Sequence, residues 1–183
     1  MKSAFIRVFG AFLILLLLVL GIGMILPRDY DIRSQVEIDA PAEEVFARIN
    51  SLPEWRSWSP WNSSDLTGLG IRYSGEESGT GSVQTWSDPR GEGKLWLTES
   101  TPHESVSYSM EFANFPKLDG NFNLAQSGDK TTVTWSSTGT LPSGPFYGFF
   151  AGMFTNGMKT EYDKGLARLK EVCEAAGADQ SGD

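Results

Sequence analysis

From Phe146 to Cys173 the residues Phe150, Phe154, Met158, Tyr162, Leu166, Leu169 and Cys173 recur at spacings of four and three, drawing one apolar stripe along an α-helix. At roughly 1.5 Å per residue such a helix spans about 40 Å, enough to cross a whole sheet. Upstream the period is two. In Ser105 to Phe112, Val106, Tyr108, Met110 and Phe112 share one face, and Ser105, Ser107, Ser109 and Glu111 share the other. The same alternation pairs Val36 with Ile38 in Ser34 to Asp39, Ile71 with Tyr73 in Gly70 to Gly75, and Gln84 with Trp86 in Gly81 to Ser87. It pairs Leu95 with Leu97 in Gly93 to Ser100, then Phe122 with Leu124 and Val133 with Trp135. The pattern predicts six or seven antiparallel strands with one apolar face, covered by the terminal helix in an α+β core.

Between the first strand and the meander the chain reads as helical. Asp39 is expected to cap a helix with Pro41 in its first turn and Glu43 and Glu44 at its positive end, and Val45, Phe46 and Ile49 form its buried side. Pro53 ends it, and a second short helix carries Trp55 and Trp58 before Pro60. Asp88-Pro89-Arg90-Gly91, Thr101-Pro102-His103-Glu104 and Ser127-Gly128-Asp129-Lys130 supply turn chemistry.

A different pattern opens the chain. Val8 to Leu26 is an unbroken apolar run of nineteen residues behind Lys2 and Arg7, close to the twenty or so that cross a bilayer as a helix. It ends Met24-Ile25-Leu26-Pro27, unlike a cleavage site, so an uncleaved anchor is expected rather than a signal peptide. Basic residues on the two flanks differ little; the bias places the amino terminus inside and the domain outside. The expected organisation is an anchor over 1–27, a linker over 28–33, one domain over 34–175 and a disordered polar tail over 176–183.

Composition removes several function classes. Fifteen Lys and Arg against 23 Asp and Glu give a net charge of −8, and without a basic cluster no nucleic-acid partner is expected. The single cysteine, Cys173, rules out an internal disulfide; with one histidine, His103, in a turn, no metal or other cofactor is expected. No Ser or Thr has a base beside it in any recognisable motif, so no catalytic residue is assigned. Arg56, Arg72, Glu99 and Glu111 are the candidate charges for a role in the site, with a solvated position the expectation for each.

The order of elements and the motifs Ile38-Asp39-Ala40-Pro41-Ala42-Glu43-Glu44-Val45-Phe46, Trp55-x-x-Trp58-Ser59-Pro60-Trp61, Gly79-x-Gly81, Gly91-x-Gly93, Thr132-Val133-Thr134-Trp135 and Lys164-Gly165-Leu166-x-x-Leu169 resemble the START/polyketide cyclase (SRPBCC) superfamily over about residues 34 to 173. The resemblance implies the helix-grip fold: a curved antiparallel sheet around a long C-terminal helix, enclosing a cavity for a hydrophobic small molecule or lipid. The expected lining is Trp58, Tyr73, Trp86, Leu95, Leu97, Tyr108, Met110, Phe112, Phe122, Trp135, Phe154 and Met158. Three alternatives stay open at this level. The same aromatics can form a plain core; the fold can serve a cyclase or dehydratase; or it can be a protein-interaction module. Trp55, Trp58 and Trp61 read equally as a lid or as a plug. The glycine-rich start of the last helix reads as a gate, as a surface resting on the bilayer, or as a late helix start.

Overall fold

The structure, a computed structural model, describes residues 2–61, 70–88, 91–112 and 115–180. An N-terminal helix, α1 (Lys2–Ile25), precedes strand β1 (Asp29–Ile38), helix α2 (Ala42–Asn50), a 3-10 turn (Leu52–Glu54) and helix α3 (Trp55–Trp58). Six strands follow: β2 (Arg72–Gly75), β3 (Ser82–Asp88), β4 (Gly91–Thr101), β5 (Ser105–Phe112), β6 (Phe115–Ser127) and β7 (Lys130–Thr140). Helix α4 (Tyr147–Gln180) closes the chain. The seven strands form one sheet in the order β1-β7-β6-β5-β4-β3-β2, every pair antiparallel. Register shifts between Leu97 and Glu99 and between Met110 and Phe112 bend the middle strands.

Three expectations are corrected. The segment 28–33 is not a linker: β1 begins at Asp29 and pairs with β7 along its whole length, Asp29 opposite Thr140 and Ile38 opposite Thr131. Tyr30 and Ile32 are buried there while Asp29, Asp31 and Arg33 face out, an alternation that the charges disguise as polar linker. Asp39 does not cap α2. Pro41 holds the cap position, while the Asp39 backbone N–H donates to Glu174 (2.9 Å) and its carboxylate pairs with Lys130 (2.8 Å). The tail reading fails as well, because α4 runs through Gln180; 181–183 lie outside the described residues.

Helix α4 does not lie across the whole sheet. It packs chiefly along β1 and against α3, with lesser contact to α2 and β7. Its burial is uneven. Tyr162, Leu166, Leu169 and Cys173 are fully buried, whereas Phe150, Phe154 and Met158 nearer its start are only half-buried. Gly165 decides where the second half docks, since a Cβ there would stand 2.8 Å from the Trp135 ring and 2.9 Å from Pro60.

Cys173 lies in that tight half. Burial pushes its thiol up to about 11, so it stays neutral and a poor nucleophile. An aromatic disulfide reagent at neutral pH is expected to leave it unlabelled in the folded protein and to label it fully in denaturant; rapid native labelling would show an open helix end. Because the folded value lies above the ordinary 9.0, the stability that the buried thiol contributes is present below that pH and fades as pH rises through about 11.

Candidate functional site

The concave face of the sheet carries one aromatic side chain after another, and their ring contacts among the described residues fall into two groups with different burial. The first is solid. Trp55 and Trp58 meet at 5.0 Å, and Phe122 sits 5.6 and 5.8 Å from them. Trp135 stacks flat on Tyr162 at 4.0 Å, with Trp61 at its edge at 5.2 Å. The polar atoms of its fully buried rings are all taken up by hydrogen bonds. Trp55 and Trp58 donate their indole N–H to the carbonyls of Ile49 (2.7 Å) and Arg48 (3.2 Å). Trp135 Nε1 donates to Tyr108 Oη (2.9 Å), which stands 3.3 Å from Tyr162 Oη, itself 2.6 Å from Ser137 Oγ. Burial raises both phenols above their usual range, so the hydroxyls stay protonated.

The second group is half-open. Trp86 on β3 touches Phe112 on β5 at 5.5 Å, and Phe112 reaches Phe115 on β6 at 6.5 Å. Phe115 meets Phe154 of α4 at 5.4 Å, and Phe154 touches Phe150 at 6.0 Å and Tyr30 at 5.2 Å. Trp86, Phe112, Phe115, Phe150, Phe154 and Met158 are all partly exposed. They form a half-exposed apolar groove with β3, β4, β5 and β6 as its floor and the first half of α4 as its wall. Gly93 shapes that floor: the Trp86 ring lies flat over it, where a Cβ would come within 2.0 Å.

Along β3 the same face carries Ser82, Gln84 and Trp86, which places Ser82 about 13 Å from Trp86 at roughly 3.3 Å per residue, with buried Gln84 between them. At the Ser82 end, a cleft of about 380 Å³ opens between the Leu52–Glu54 turn and the β2–β3 hairpin, lined by Leu52, Pro53, Tyr73, Ser82 and Val83. Tyr73 is 38% exposed there. The Ser82 hydroxyl is buried without a hydrogen-bond partner among the described residues, which leaves a donor at the base of the cleft. A further cleft of about 700 Å³ lies at the Trp86 end of β3, β4 and β5, where Trp86, Gly93 and Phe112 border it together with Arg72, Lys94 and Glu111.

The expected lining residues therefore separate. Trp58, Tyr108, Phe122 and Trp135 are in the solid group; Leu95, Leu97 and Met110 are buried between the two. Trp86, Phe112, Phe154 and Met158 border the groove, and Tyr73 the cleft. Of the lid and plug readings, the structure supports the plug: Trp55 and Trp58 are fully buried over the end of the sheet. Phe115, Phe150 and Ser82 complete the site and were not singled out from sequence as ligand contacts. Phe115 follows 113–114, outside the described residues, and belongs to no tidy alternation. His103 stands exposed in the β4–β5 turn with φ 63°, its ring edge-on to Phe46.

A seven-stranded antiparallel sheet with two short helices after its first strand and a long helix gripped at its end is the helix-grip architecture. The chain belongs to the family described as polyketide cyclase / dehydrase and lipid transport, whose model matches residues 30–174, and thus to the START/polyketide cyclase superfamily. Similar solved structures include TTHA0849 from Thermus thermophilus, 18% identical, with a TM-score of 0.58 over 80% of this chain and 98% of that one. The Aha1 dimer from Colwellia psychrerythraea is 18% identical, TM-score 0.57, covering 79% and 96%. DynU16, a protein in the dynemicin biosynthetic locus, is 17% identical, TM-score 0.55, covering 80% of this chain and 48% of that one. No curated protein matches the chain.

Proposed function

We propose that the protein binds a hydrophobic small molecule or lipid in the groove between the sheet and the first half of α4, and that α1 anchors it to a membrane. The observation that carries this reading is the half-open aromatic group. Packing to interior density would have buried these rings as completely as Trp135 and Tyr162 are buried. Instead six large apolar side chains keep exposed surface along one strip, and such surface is stabilised by an apolar guest. The unpaired Ser82 hydroxyl and the Tyr73 phenol at the far end supply a place for the guest's polar group. Helix α1 supports the anchoring half: Ile6–Ile25 is long and apolar enough to cross a membrane, and its side chains are exposed. The family description, which names lipid transport beside cyclase chemistry, points the same way. The buried hydroxyls of Tyr108, Tyr162 and Ser137 lend no support to the cyclase reading, because they bond to one another rather than facing the groove.

The test uses the full chain in detergent micelles and a fluorescent polyene fatty acid excited by energy transfer from tryptophan. Saturable binding is expected, with Phe112→Ala and Phe154→Ala each weakening it about tenfold, the equivalent of about 1.4 kcal/mol of lost apolar contact. Binding that never saturates, or that both variants leave unchanged, would sink the groove as the site.

A further inference from the structure

We infer that the start of α4 lies in the lipid interface beside the end of α1, so that the groove opens towards lipid rather than water. The inference rests on α1 being a membrane anchor and adds to it a second, peripheral contact made by the domain. The first observation is how α1 meets α4. Gly23 is the one buried residue of α1 among those described. A Cβ on Gly23 would stand 1.8 Å from the Pro145 carbonyl oxygen and 2.7 Å from the Phe149 ring, and a Cβ on Gly148 would stand 2.6 Å from the Gly23 carbonyl oxygen and 2.6 Å from Leu26 Cβ. The two backbones touch through glycines, as small residues allow where helices cross in a membrane. The start of α4 is thereby held at the level where α1 ends.

The second observation is what that start exposes. Phe146, Phe149 and Met153 are 73%, 49% and 66% exposed. Their spacing of three and four puts them on one side of the helix, and the Phe150 N–H bonding to the Phe146 carbonyl (3.1 Å) brings Phe146 into the first turn. Met24 and Ile25, 57% and 85% exposed, continue this surface onto α1. Charge is divided to match. From Leu141 to Met158 there is no charged side chain, whereas Lys159, Glu161, Asp163 and Lys164 follow directly. A large apolar, uncharged surface continuous with a membrane-spanning helix suits the boundary between headgroups and acyl chains. A water-facing helix would carry its charges from the first turn.

The consequence concerns the guest. Phe150 and Phe154, which wall the groove, lie one step round the same helix from Phe149 and Met153. The first turns of α4 thus have lipid on one side and the groove on the other, which makes this short segment the threshold a lipid-like molecule would cross.

The test places an environment-sensitive nitrobenzoxadiazole dye on the full chain in vesicles of equal parts phosphatidylcholine and phosphatidylglycerol, with and without a doxyl group on the acyl chains. Dyes are carried singly by Leu15→Cys, Met153→Cys and Lys164→Cys, Cys173 being buried. Expected are doxyl quenching at Leu15 and Met153 and iodide quenching only at Lys164. Lipid quenching at Leu15 with iodide quenching at Met153 would overturn the inference while leaving the anchor standing; absence of lipid quenching at Leu15 would overturn the anchor, and the inference with it. Shielding of Met153 from both quenchers, lost on dilution of the protein in lipid, would assign the face to a second copy of this chain and likewise overturn it. Gly148→Ala, or Gly23→Ala should the first not fold by circular dichroism, is expected to lower doxyl quenching at Met153 and spare Leu15. Unchanged quenching in a folded variant would overturn the glycine crossing as what holds the face down.

Discussion

Replacing Trp135 by alanine is expected to lower the stability of the folded protein by about 3–5 kcal/mol, the range for removing a large aromatic side chain from a packed core. The residue is fully buried and touches rings of three elements and of the turn after α3: Tyr162 of α4 face to face at 4.0 Å, Phe122 of β6 at 4.7 Å, Trp58 of α3 at 5.9 Å, and Trp61 in the turn at 5.2 Å. Its loss would leave a void the size of an indole that no neighbour can fill without breaking its own contacts. It would also remove the N–H that Tyr108 Oη accepts, leaving a buried hydroxyl one bond short. Urea unfolding of the full chain in micelles, followed by far-ultraviolet circular dichroism, measures the change. A loss below about 1 kcal/mol would mean that the group relaxes as a loose cluster and is not the plug described above.

Gly120→Ala is the second large effect, with an expected loss of about 2–3 kcal/mol, at the upper end of what overpacking a core costs. The Tyr108 ring lies across Gly120, and a methyl group there would stand 2.3 Å from both Cζ and Oη. Tyr108 cannot step aside: it is fully buried, holds hydrogen bonds to Trp135 and Tyr162, and is edge-on to Trp55 at 5.4 Å. Gly93→Ala makes the informative contrast. There the methyl would meet Trp86 at 2.0 Å, but Trp86 is only half-buried and borders the cleft of about 700 Å³, into which it can shift. The cost to stability should be clearly smaller than at Gly120, with the disturbance falling on the groove floor. The same urea series compares the two; equal losses would contradict the division of the concave face into a rigid plug and a yielding groove.

That division also explains why the aromatic residues could not be sorted in advance. Tyr108 and Phe112 lie on one strand, four residues apart, with the same periodic signal. One ends beneath α3 and α4 in a closed hydrogen-bonded group, the other beside the sparsely packed start of α4. Nothing local distinguishes them, because burial depends on which distant element passes over each strand position.

The sequence by itself determined the class of the fold. Two-residue alternation located β2 through β7 and four-and-three spacing located α4, since strand and helix each have a side-chain period written into the chain order. It also determined the apolar run of α1, whose length is a matter of counting. Only the tertiary structure decided that Asp29–Ile38 is a strand along its whole length, because the charges of Asp29, Asp31 and Arg33 are tolerated by their outward direction in pairing with β7. It alone decided where α4 docks, through the glycine contacts at Gly165, Gly148 and Gly23, and hence which part of the concave face is sealed and which is left open. The physical reason is that periodicity fixes the side of an element that must be covered, whereas the covering partner and the gap beside it follow from contacts between residues far apart in the chain.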